Sequence, residues 1–168
     1  GREGFTPSES SIGRTLEELF RNAPRRLIVA CFASNIHRIQ QVLDVARRLG
    51  KKVAVNGKSM AANLRIAGDL GYLRVPPDTL VRLDELQRLP PDHGVVITTG
   101  SQGEPLSAVA RMAVGEHKQR VVQPGDTVIF SARVIPGNEQ SIARTVNQLL
   151  KRGAQVITED TCPRVHVS

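Results

Sequence analysis

The hydrophobic pattern of this 168-residue chain changes period repeatedly, from strand-like to helix-like and back. Leu27-Ile28-Val29-Ala30-Cys31-Phe32 is a continuous apolar run, as a strand covered on both faces requires. Ile36, Ile39, Val42, Leu43, Ala46 and Leu49 return to helical spacing, and Gly50 closes that helix. The alternation continues with a strand at Lys52-Val53-Ala54-Val55 and a helix from Ala61 to Leu70. It then predicts a strand at Val95-Val96-Ile97-Thr98, a helix from Leu106 to Val114 and a strand from Thr127 to Ser131. Asn138 is the expected cap of a helix carrying Ile142, Val146, Leu149 and Leu150, ended by Gly153. Thr79-Leu80-Val81-Arg82 reads as a short edge strand. Gln155-Val156-Ile157 and Arg164-Val165-His166-Val167 read as the last strands. Upstream, Thr6-Pro7-Ser8-Glu9 reads as a capping box for a helix bearing Ile12, Leu16, Leu19 and Phe20. Such alternation implies an α/β fold: three αβα layers around a mostly parallel, Rossmann-like, doubly wound sheet. Residues 1–168 read as a single domain.

Lysine and arginine outnumber the acids 23 to 16, a formal charge of +7, which favours a polyanionic partner. Aromatic residues are 3% of the chain, too few for a base-stacking platform, so a nucleic-acid grip would rest on phosphate contacts. No apolar run approaches the roughly 20 residues of a membrane span. The expected setting is the cytoplasm, without a signal peptide or membrane. Two cysteines, Cys31 and Cys162, do not make a disulfide framework.

In a doubly wound sheet, ligands bind beyond the carboxyl ends of the strands. Three of the predicted ends lead into polar loops that enter helices. They are Ala33-Ser34-Asn35-Ile36-His37-Arg38, Thr98-Thr99-Gly100-Ser101-Gln102-Gly103-Glu104-Pro105 and Ser131-Ala132-Arg133-Val134-Ile135-Pro136-Gly137-Asn138-Glu139. Free N–H groups at helix N-termini attract phosphate, and Gly100 and Gly103 are expected to let the backbone approach a ligand. Ser, Asn and Gly are also what an ordinary strand-to-helix turn prefers, so one such loop alone says little.

Other chemistries find no support. Gly57-Lys58-Ser59 echoes the end of a phosphate-binding P-loop, but Lys52 stands where that motif needs its first glycine. No Gly-x-Gly-x-x-Gly follows the first strand, which disfavours a dinucleotide enzyme. His37, His93, His117 and His166 lack metal-ligand spacing, so no metal site is expected within the chain. Asp44, Asp69 and Asp84 are expected on solvated surfaces. His166 and Ser168 share one side of the last predicted strand, where they could face a phosphate or simply sit on a fraying end.

Taken together, the three loops, Gly4-Phe5-Thr6-Pro7-Ser8-Glu9, Gly115-Glu116-His117, Pro124-Gly125-Asp126-Thr127 and the terminal His166-Val167-Ser168 resemble the bacterial ribonuclease J family, in order along the chain. The resemblance implies the β-CASP domain, an excised part of a larger metallo-β-lactamase-fold ribonuclease. It implies 5′-to-3′ exonuclease and endonuclease activity in the parent, with two zinc ions held by the β-lactamase domain and none in this chain. The partners implied are single-stranded RNA, its 5′-monophosphate end, the missing β-lactamase domain and further copies of the parent. Residue by residue, His166 matches a position contributing to catalysis, and Ser168 the adjoining phosphate site. Ser34, Asn35, His37 and Arg38 match the first loop beside the RNA. Thr99, Gly100, Ser101, Gln102, Gly103 and Glu104 match the second, and Pro136, Gly137, Asn138 and Glu139 the third. The family's His-x-His-x-Asp-His metal motif does not occur here, and Arg133-Val134 stands where many relatives have Thr-Pro. A stand-alone nucleotide-binding domain, or a domain made mainly for protein contacts, remains the alternative reading.

Overall fold

A computed structural model of the chain describes residues 9–104, 107–115 and 122–158. Helix α1 (Glu9–Asn22) precedes strand β1 (Leu27–Ala30), helix α2 (Ile36–Arg48), strand β2 (Lys52–Asn56) and helix α3 (Lys58–Asp69). A short helix α4 (Leu83–Leu86) and a single 3-10 turn at Pro91–His93 lead into β3 (Gly94–Thr98). Helix α5 (Ala108–Val114), β4 (Thr127–Phe130), α6 (Glu139–Lys151) and β5 (Gln155–Ile157) complete the described elements.

The five strands are all parallel, in the order β2-β3-β1-β4-β5. The central strand β1 pairs with β3 from Leu27 opposite Val95 and with β4 from Leu27 opposite Thr127. All four β1 side chains are buried. Because strand side chains alternate, Leu27 and Val29 enter one core and Ile28 and Ala30 the other. The first core joins them to Leu16 and Phe20 of α1, Ile39 and Leu43 of α2, and Met60 and Leu64 of α3. The second gathers Leu86 of α4, Val109 and Met112 of α5 and Leu149 of α6. The result is the three-layer, doubly wound fold expected from the alternation.

Local details depart from the periodic reading. The apolar run Leu27–Phe32 is strand only to Ala30. Cys31 still donates its N–H to Thr98 (3.1 Å), whereas Phe32 turns outward. Thr79–Arg82 makes one parallel bridge, Leu80 to Val53, instead of a strand. Its amide ladder is confined to Val53 N–H on the Thr79 carbonyl and Val81 N–H on the Val53 carbonyl, both 2.8 Å. Helix α3 begins at Lys58, three residues before Ala61. The predicted capping box at Thr6–Glu9 and the predicted strand at Arg164–Val167 fall on or extend into residues outside those described. No helix among the described residues is long and apolar enough to cross a membrane.

Cys31 lies in the first core, and burial pushes its thiol up to about 12. In a Cys162→Ser background, Cys31 is therefore expected to resist a thiol reagent at pH 8 and to react fully in denaturant. Phe20→Ala should lower stability by about 3–5 kcal/mol in urea unfolding, since it opens a cavity between α1 and the sheet.

Candidate nucleic-acid interface on the strand rim

Parallel strands and returning helices place every strand's carboxyl end, and every following helix N-terminus, at one pole. The connection from β1 leaves toward β2, whereas that from β4 leaves toward β5. The crevice of such a sheet opens between strands whose connections diverge, here β1 and β4. The loops after β1, β3 and β4 meet around this point, and two buried side chains bind them together.

The first is Arg38, in the opening turn of α2 and only 3% exposed. Its Nη1 donates to Ser131 Oγ, just past β4, and its Nε to Gln41 Oε1 at 2.8 Å. Arg38, matched above to the loop beside the RNA, has its guanidinium enclosed, and it ties the β1 loop to the β4 loop. Asn35 caps α2, its side-chain oxygen accepting from the Arg38 N–H at 3.0 Å.

The second tie is Gln102, also 3% exposed. Its Nε2 donates to the Arg133 carbonyl (2.8 Å), and its Oε1 accepts from the Ile135 N–H (2.8 Å) and from Asn138 Nδ2 (3.2 Å). The side-chain amide thus pairs with the β4 loop as a peptide group would. Asn138 was expected to cap α6; it occupies the cap position, but its side chain makes no capping bond and serves Gln102 instead.

Gly100 and Gly103 also answer to packing. Both have positive φ, +107° and +72°. A Cβ on Gly103 would lie 2.5 Å from the Ser141 carbonyl oxygen, and one on Gly100 would strike Ser107 and Val109. Their missing side chains let the β3 loop rest on α6 and α5.

Several amide donors that the sequence reading assigned to phosphate are already engaged. Glu104 Oε1 accepts from the Gln102 N–H at 3.1 Å, and Glu139 Oε1 from the Gly137 N–H at 2.9 Å. The two carboxylates stand where an anion would sit. Ser34, His37, Pro136 and Gly137 face solvent, Thr99 is half-buried, and Ser101 is buried. Lys58 and Arg133 add exposed positive charge at this pole, beside Glu104 and Glu139. Phe32, Val134 and Ile135 are exposed apolar side chains on the same loops. His166 and Ser168 lie outside the described residues. Among the described residues, no three His, Cys, Asp or Glu side chains group as a metal site. Asp69 is exposed; Asp44 accepts from Gln40, and Asp84 pairs with Arg82 at 2.6 Å.

Sequence reasoning missed Ser131 as a partner of Arg38, because a pairing across 93 residues leaves no local pattern. Gly103→Ala should cost about 2–3 kcal/mol in urea unfolding, through its positive φ and the backbone of α6.

The chain was compared with known proteins. The family model described as ribonuclease J, β-CASP domain, matches residues 24–149. The ribonuclease J of Mycolicibacterium smegmatis is 47% identical over 98% of this chain and 29% of that protein. The ribonuclease J of Thermus thermophilus is 45% identical over 99% of this chain and 29% of its own length. That of Helicobacter pylori strain J99 is 41% identical over 99% of this chain and 24% of its own length. The chain thus spans less than a third of the curated relatives it matches. With this ordered match across the sheet and all three rim loops, the chain belongs to the ribonuclease J β-CASP domain family.

Proposed function

We propose that this chain is the RNA-guiding β-CASP domain of a larger metal-dependent ribonuclease. The observation that carries the reading is the family match across 24–149, which includes the rim at the β1/β4 crevice. In this reading the parent acts on single-stranded RNA as a 5′-to-3′ exonuclease and endonuclease in the cytoplasm, assembled from several copies. Two zinc ions in its β-lactamase domain would supply the activated water for phosphodiester hydrolysis. The described residues do not form a donor set for those ions, so the contribution derived for this chain is to hold and orient the strand. His37, Ser34 and Thr99 offer hydrogen bonds on a rim held in shape by Arg38 and Gln102. Lys58 and Arg133 offer charge. His166 and Ser168 are proposed to complete the phosphate-facing side in the parent, where the 5′-monophosphate is held.

Exposed Phe32, Val134 and Ile135 favour a second, compatible reading in which part of this rim packs against the β-lactamase domain. Guiding RNA and closing on a neighbouring domain use adjacent parts of the same edge.

The test is RNA binding by the purified chain. Weak, salt-sensitive binding of a single-stranded oligonucleotide is expected, with log affinity falling linearly against log salt at a slope of about −0.7 per phosphate contact. Binding indifferent to salt would remove phosphate contacts as its source. The chain alone is expected to show no metal-dependent cleavage. Robust cleavage by highly purified protein, abolished by His166→Ala, would overturn that expectation.

A further inference from the structure

The opposite pole of the sheet, where strands begin and helices end, carries a groove of about 370 Å³ lined by Arg47, Arg48, Arg74, Asp44 and the Val75-Pro76-Pro77 segment. Arg47 and Arg48 lie in the last turn of α2, where cations oppose the negative end of the helix dipole. That placement does not account for Arg74, which the loop after α3 brings to the same groove. Gln40 fixes this loop by a two-way pairing: its Nε2 donates to the Arg74 carbonyl and its Oε1 accepts from the Arg74 N–H, both at 2.8 Å. The backbone of Arg74 is thereby held before any ligand arrives, and Pro76-Pro77 stiffens the wall beyond it.

The charges do not cancel. Glu17 is shared by Arg48 (3.0 Å) and Arg21 (2.8 Å). Asp44 lends Oδ1 to Gln40 Nε2 at 3.0 Å. Arg47 and Arg74 are exposed, and neither guanidinium has a hydrogen bond or ion pair among the described residues. The groove lining therefore holds three guanidinium groups and one carboxylate, with Glu17 outside it paired to Arg48. Guanidinium is the side chain best shaped to grip phosphate oxygens, and the groove has the size of a small ligand site.

We propose that this groove is a second anion site, separate from the rim, which takes phosphate groups through Arg47 and Arg74 with Arg48 beside them. The phosphate would come from an RNA backbone, which rests on the functional reading above, or from free phosphate. An RNA held here would be gripped at the far end of the domain, away from the β1/β4 crevice.

Amide NMR of the labelled chain separates these cases, with a 12-nucleotide single-stranded RNA and inorganic phosphate as probes. The expected result is that both shift the amides of Ala46, Leu49 and Val75. Arg47→Glu/Arg74→Glu should then weaken RNA binding about tenfold and reduce the salt slope by about 1–2. Arg47→Gln/Arg74→Gln, which does not reverse charge, should act in the same direction and guards against a folding defect. If phosphate shifts the groove but RNA binds nowhere, the site stands with free phosphate as ligand and the RNA-guiding reading falls. If RNA shifts only rim amides such as Asn35 and Gly103, and the variants bind it normally, the groove proposal falls and the guiding reading stands. If neither probe shifts the groove and RNA binds nowhere, both fall.

Discussion

The burial of β1 on both faces is the constraint from which the rest of the structure follows. Leu27 and Val29 need one cover and Ile28 and Ala30 another, so helices must return on both sides of the sheet. Burying each of Leu27, Ile28 and Val29 is worth roughly 1.5–3 kcal/mol. Because all five strands run parallel, polarity then follows. Strand ends and helix starts share one pole, and helix ends share the other. The domain therefore has two chemically different ends, a rim of polar loops and a pole rich in arginine.

The rim is held by tertiary bonds between loops. Gln102 joins the β3 loop to the β4 loop, Arg38 joins α2 to Ser131, and Gly103 lets the β3 loop lie against the backbone of α6. A site built this way is pre-shaped, so a bound strand need not order three loops at once. The same economy uses up donors. Glu104 and Glu139 occupy main-chain amides of their own loops, and Arg38 is enclosed. The exposed surface of the rim consists of hydrogen-bonding side chains with Lys58 and Arg133, bordered by apolar Phe32, Val134 and Ile135.

Much of the fold was legible in the sequence because it depends on local period. The apolar run at Leu27, the helical stripe from Ile36 to Leu49 and the buried strands at Val95 and Thr127 all stand where the pattern put them. The exceptions were short. Thr79–Arg82 has strand-like residues but contacts β2 by one bridge, because Leu83 begins a helical turn. The location of the three loops on a common rim was also legible, since it follows from alternation alone.

What each loop residue does was not legible. Arg38 and Arg47 belong to the same helix; one is buried against Ser131 and the other is exposed in a groove with Arg74. Asn35 and Asn138 both precede helices, yet one caps its helix and the other bonds Gln102. The sequence by itself determined the layers, the strand directions, the family and the common rim of the three polar loops, because periodicity, ordered motifs and the alternation of strands with helices need no partner. Only the tertiary structure decided which polar side chains are spent inside and which remain outside. The bonds that tie the loops together, from Arg38 to Ser131 and from Gln102 to the β4 loop, run to residues tens of positions away, where no local pattern records them.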